Sequence, residues 1–199
     1  TNNHCECEKC KNTRPSDFYV QILNKIDRKL TDLNIPVRIF TVIYVDLLWP
    51  PETERIRNKN RFILMYCPIS RSYTTPLTVE TTAKMTPYVR NKLVFPGKVD
   101  ELAAYLKGWR DQFDGEYVVF DYYFMWDCYK DLGSMGTARM IYDDIRNYEK
   151  MKFTGLISCQ SQRVFSPTAL GMNIMARTLW NRECDFETEC NDILHTEFG

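Results

Sequence analysis

The chain has 199 residues, 44% of them hydrophobic and 26% charged, and its 26 Lys and Arg balance 26 Asp and Glu. That length suits one domain or two small ones with a real core, and a net charge of zero gives no reason to expect nucleic acid or an anionic membrane as partner. No run reaches the roughly 18 apolar residues that a bilayer span needs, so no membrane partner is expected either.

The chain opens without Met in a polar segment that lacks the apolar run of a signal peptide, and it reads as a piece of a longer protein. Residues 4–11, HCECEKCK, place Cys5, Cys7 and Cys10 at C-x-C-x-x-C spacing. Three thiols are soft metal ligands, and a structural zinc wants four, so His4 or the distant Cys67 would have to complete the set. The common zinc pattern has a second C-x-x-C pair, which is missing here. A Cys7–Cys10 redox pair, a disulfide end, and thiols that only shape a turn therefore stay open beside the metal. Cys67 and Cys159 sit in apolar runs, where thiols are more often buried than bridged. Eight cysteines without a pairing pattern lean towards a reducing, cytoplasmic compartment, with secretion left open.

PSDFYVQILNKIDRKLTDL, 15–33, predicts a helix with Phe18, Ile22, Ile26 and Leu30 on its apolar face. The β-branched run Val37 to Val45 predicts a buried strand stopped by Pro50 and Pro51, and NRFILMYCPI a second strand ending near Pro68. Residues 70–97 show no period and are too long for an ordinary connection. KVDELAAYLKGWRDQF predicts a helix, GEYVVFDYYFMWD a third strand, SMGTARMIYDDIRNYEKM a helix and FTGLISCQ a fourth strand. Two helices close the chain, the first with Ser166 as N-cap before Pro167. The order α-β-β-α-β-α-β-α-α with strands buried on both faces predicts an α/β fold of parallel β/α units.

In parallel α/β folds, ligands sit at the carboxyl ends of the strands. The first strand ends in Tyr44, Asp46 and Trp49, and the second in Cys67, Arg71 and Tyr73. The third ends in Asp121, Tyr122, Tyr123, Trp126 and Asp127, and the fourth in Gln160, Gln162 and Arg163. Carboxylates for acid–base work, aromatics for sugar faces and amides for hydroxyls make the inventory of a sugar site. Each residue has a plainer role too: aromatics pack, and a strand-end Asp caps the next helix. Asp121 inside VVFDYYF is the sharpest case, because a buried carboxylate is costly unless paired or used.

TNNHCECEKCK, a helix, TVIYVDLLWPP, NRFILMYCPI, DYYFMWD and GLISCQSQRVFSPTALGMNIMARTLWN, in that order, resemble the domain-of-unknown-function 4838 family along nearly the whole chain. The resemblance implies a bacterial, TIM-barrel, glycoside hydrolase-like protein similar to α-glucuronidases. Residues 1–182 would then be the second half of a (β/α)8 barrel, and 183–199 the start of a helical segment. It further implies a carbohydrate, possibly uronate-bearing, as ligand, and puts the Cys5, Cys7, Cys10 cluster and Cys67 at one mouth. On that reading Asp121 and Asp127, with Asp46 behind them, carry the chemistry. Tyr44, Trp49, Arg71, Tyr122, Tyr123, Trp126, Gln160, Gln162 and Arg163 bind the sugar. No cofactor is required; a structural zinc is an option. Half a barrel alone should be inactive and should self-associate through open sheet edges. The alternatives are a non-catalytic carbohydrate-binding or scaffold module and a zinc-stabilised structural domain.

Overall fold

The computed structural model describes residues 2–160 and 165–199. Helix α1 spans Pro15–Asp32, strand β1 Ile39–Ile43, β2 Phe62–Tyr66, α2 Val99–Arg110 and β3 Glu116–Phe124. Helix α3 follows at Met135–Tyr148, β4 at Phe153–Gln160, α4 at Leu170–Trp180 and α5 at Phe186–Phe198. The four strands form one sheet in the order β1-β2-β3-β4, and every neighbouring pair is parallel. Helices α2 and α3 join β2 to β3 and β3 to β4 as β/α units, while only a short 3-10 turn, Val45–Leu47, lies between β1 and β2, so the α/β expectation holds at that level.

Local chemistry fixes the helix ends. Pro15 opens α1, where a missing N–H costs nothing. Glu101 in the first turn of α2 reaches back to the Lys98 N–H at 3.3 Å. Asp185 caps α5 by accepting from the Thr188 N–H at 2.9 Å. The closing helix pair departs from expectation. Helix α4 starts at Leu170 and not at Pro167, and the Thr168 hydroxyl accepts from the Leu170 N–H at 3.1 Å.

One face of the sheet carries Ile43, Phe62, Leu64, Tyr66 and Val119, which pack with Val20 and Leu23 of α1, Leu102, Tyr105 and Trp109 of α2, and Ile141 and Ile145 of α3. The Tyr66 hydroxyl donates to the Leu102 carbonyl at 3.0 Å within that layer. Helix α5 packs on α3 and α4 through a second apolar cluster of Ala138, Tyr142, Leu170, Ile174, Phe186, Cys190 and Ile193. Gly108 lets α2 pass close to the β1 exit: a Cβ there would stand 2.9 Å from Pro50 Cγ.

The strands are not buried on both faces throughout. Central β2 and β3 are, whereas β1 and β4 are largely open on one side, with Phe40 56% and Ile157 41% exposed. Helix α1 also turns differently from its apolar period. Ser16, Asp17, Val20 and Leu23 are its buried positions, while Ile22 and Ile26 face outward.

Candidate functional site

Because all four strands run the same way, their carboxyl ends share one rim. Beyond Ile43 the chain enters a tight 3-10 turn, Val45–Leu47, that presents Asp46, and Val45 itself holds a φ of 50°. A β-branched residue in the left-handed region is strained, and such strain concentrates where a side chain must be aimed. On the open face, the strand ends contribute Tyr44, Cys67, Tyr122 and Cys159 as neighbours, with Tyr122 and Cys67 in hydrogen-bond contact. Burial and the nearby Asp121 charge push the Cys67 thiol up to about 12. Burial raises the Tyr122 hydroxyl as well, reinforced by Cys67 and Tyr44.

Asp121 lies on the other face, under the helices, and is fully buried. Arg71 Nη1 stands 2.9 Å from Asp121 and 2.6 Å from Asp144 of α3. The Tyr73 hydroxyl donates to Asp121 at 2.6 Å, and the Tyr123 hydroxyl donates to Asp144 at 2.6 Å. The Leu77 N–H adds a further bond to Asp144, also at 2.6 Å. Two carboxylates thus share one guanidinium, and burial holds the Asp144 carboxyl above the usual carboxylate range against the pull of Arg71. Both oxygens of Asp121 are met by protein donors, so Asp121, Arg71 and Tyr123 form a buried brace between β3, α3 and the irregular 70–97 segment. Trp49 is likewise internal: its indole N–H donates to the Thr86 carbonyl at 2.7 Å, and its ring meets Tyr88, Phe95 and Tyr105 edge-on.

The solvent side of the rim keeps Tyr44, Asp46, Trp126, Asp127 and Gln160. Asp127 is paired with Lys130 at 2.5 Å, and Trp126 is 42% exposed. A hollow of about 650 Å³ opens beside Asp127, lined also by Arg71, Tyr73, Tyr123, Lys130 and Arg139 among others. Gln162 and Arg163 lie outside the described residues.

The opening Cys-rich segment docks at the β1 end of the rim. His4 Nε2 stands 2.7 Å from Asp46 Oδ2, and Nδ1 stands 3.1 Å from the Tyr88 hydroxyl. A carboxylate only accepts, so Nε2 donates its proton to Asp46. Asn91 clamps His4 from both sides, taking its N–H at 2.6 Å and donating to its carbonyl at 3.1 Å. The Arg90 guanidinium holds the Cys5 carbonyl at 3.0 Å. Between these anchors the sulfurs of Cys5, Cys7 and Cys10 all lie within 4.8 Å of one another and can hold a metal ion. Cys67 is not part of that group. A hydrogen bond from the Cys5 thiol, with backbone N–H bonds from Cys10 and Lys9, pulls Cys7 down to about 7. Its own bond to the Cys7 sulfur pushes Cys10 up to about 11.

Tyr88, Arg90 and Asn91 were not legible as site residues. They belong to the aperiodic 70–97 segment and meet the chain start across 84 to 87 residues of sequence. Asp144 was missed for the same reason, and Tyr73, though it follows the second strand, was not marked as a donor to Asp121, since nothing local ties either to it. No family model, curated protein or solved structure matches the chain.

Proposed function

We propose that the chain belongs to a carbohydrate-active, glycoside hydrolase-like β/α barrel, of which it supplies four consecutive strands and a stretch of the ligand-binding rim. One observation carries the reading: parallel strands in sequential order bring Asp46 and Asp127 to a common rim together with Tyr44, Trp126 and Gln160. Trp126 offers an exposed face for a sugar ring, and the Gln160 amide meets hydroxyls. Lys130 and Arg139, beside the hollow, meet a uronate carboxylate. Asp46, backed by His4, and Asp127 are the accessible acid–base pair. Asp121 acts behind them as a positioning residue, because its oxygens are already occupied.

That same occupancy favours a second reading, a non-catalytic glycan-binding module, because the most conspicuous carboxylate cannot reach a substrate. One experiment separates the two. Because four strands alone should not turn substrate over, uronate-bearing oligosaccharides are titrated calorimetrically into the full-length barrel that contains this chain and into its Trp126→Ala, Asp46→Asn and Asp127→Asn variants, with glycoside turnover assayed in parallel. Trp126→Ala should weaken binding by up to about tenfold, the worth of one aromatic stacking contact. Turnover lost on Asp46→Asn or Asp127→Asn with binding kept supports the hydrolase. Binding without turnover in any form supports the module. Neither binding nor turnover ends the carbohydrate reading.

A further inference from the structure

The thiol triad has more built around it than a loop needs. The segment has no apolar anchor of its own, yet it is pinned on both flanks. Asn2 accepts from the Leu93 N–H, Asn91 clamps His4, and Arg90 reaches the carbonyls of Cys5 and Thr13. Inside that frame the chain turns tightly, with the N–H groups of Cys10 and Lys11 both 2.9 Å from the Cys7 carbonyl. The distances also suit a metal. Zinc–sulfur bonds of about 2.3 Å in a tetrahedron set sulfurs about 3.8 Å apart. The three thiols therefore need to close by no more than about 1 Å.

The neighbouring donors are already committed. Both ring nitrogens of His4 are taken by Asp46 and Tyr88. Glu6 accepts from Asn91 at 2.6 Å, and Glu8 is paired with Lys11 at 2.7 Å. Cys67 is buried at the end of β2, in contact with Tyr122. Among the described residues no fourth His, Cys, Asp or Glu donor lies with the three sulfurs. Cys5 and Cys10 both line a hollow of about 380 Å³ whose other walls include Phe18, Tyr19, Ile22 and Leu47. The apolar side of α1 that does not enter the core is therefore one wall of this hollow.

We propose that Cys5, Cys7 and Cys10 bind one zinc ion through three thiolates, leaving its fourth position to an exchangeable donor that enters from the hollow beside α1. A structural zinc has four protein ligands, whereas three with an open position is the arrangement that admits water or a small ligand. Three protons leave as the thiolates form, so no oxidant or reductant is involved. The inference stands independently of the carbohydrate reading.

The test uses the reduced, metal-stripped protein and cobalt(II) as a spectroscopic probe, followed by competition with zinc. The expected result is one equivalent of cobalt with thiolate charge-transfer and tetrahedral visible bands, displaced by zinc. Cys5→Ser, Cys7→Ser and Cys10→Ser should each lose that equivalent, while Cys67→Ser keeps it. Far-ultraviolet circular dichroism should be unchanged in the three variants, because the thiols lie outside every helix and strand, and it excludes misfolding as the cause of lost binding. Added imidazole or a small thiol should shift the visible bands of the wild-type complex. Absence of bound cobalt, or binding that survives the triad substitutions, overturns the site. Loss of binding in Cys67→Ser, or bands indifferent to added ligand, overturns the open position in favour of a closed site.

Discussion

Arg71 is held between Asp121 and Asp144 with no side-chain exposure, and its removal takes the guanidinium from two buried carboxylates at once. Arg71→Met should therefore cost about 3–5 kcal/mol, the usual effect of breaking a buried pair from one side. The sign with pH follows from Asp144. Its folded-state carboxyl already titrates above the ordinary range, so acid favours the folded form and rising pH penalises it. The deficit of Arg71→Met should be largest near neutrality and shrink on acidification, as read from urea midpoints across a pH series. Cys67 gives a contrasting expectation at the same scale. Its thiol, pushed up to about 12 by burial and by Asp121, should resist iodoacetamide in the native protein at mildly alkaline pH. Exposed Cys5 and Cys7 should be alkylated first, as peptide mass spectrometry would show. The sequence announced that Asp121 was unusual, since a carboxylate in an apolar strand must be paired or used. It did not say which, because Arg71, Tyr73 and Asp144 are brought to it from 23 to 50 residues away only by folding.

Helix α1 shows how an element can obey its period and still be misread. Phe18, Ile22, Ile26 and Leu30 make a clean stripe, yet the core takes Val20 and Leu23, and the helix is oriented by a polar anchor. The Asp17 carboxylate, buried at the first turn, accepts from the N–H groups of Glu52 at 3.1 Å, Thr53 at 2.8 Å and Glu54 at 2.8 Å, and from the Thr53 hydroxyl at 2.9 Å. Burial works against the charge, but these donors prevail and hold the carboxyl below its usual range. Asp17→Ala leaves three backbone donors without their acceptor and should destabilise the protein by about 3 kcal/mol. A depressed carboxyl contributes stability above its unfolded pKa and loses it as pH falls through the folded one. The gap between wild type and Asp17→Ala should therefore close in acid, as thermal unfolding at several pH values would show. Strands and helices were legible where period and length agreed, as in 116–124, 135–148 and 153–160. The start of α4 was not, since a Ser-Pro pair reads equally well as a cap or as a turn before the helix.

At the scale of the molecule, the sheet ends in two unpaired edges among the described residues, and its open face exposes Phe40 and Ile157. Edges of this kind recruit other strands unless something covers them. On the barrel reading four further strands do so. The chain by itself should therefore associate, with a light-scattering mass that rises with concentration. Phe40→Lys with Ile157→Lys should return it towards the monomer, and a concentration-independent monomer in wild type would count against the open face. The edge of β1 is partly blunted, because the Val42 N–H is taken by the Tyr19 hydroxyl at 3.1 Å, so β4 is the more exposed side for pairing.

The sequence by itself determined the class of the molecule: buried β-branched runs separated by amphipathic helices can satisfy their backbones only as parallel strands with helical cover. It also determined that acids, aromatic rings and amides follow those strands, and that three thiols lie within six residues of one another. Tertiary structure alone decided which of them meet solvent. Asp46 and Asp127 stayed on the rim, Asp121 was buried beneath α3, Trp49 was drawn into the core, and His4 was carried to Asp46 by an aperiodic segment. The reason is physical. Periodicity reports which residues avoid water, whereas partnership between charged and polar groups depends on contacts between distant segments, and those leave no local signature.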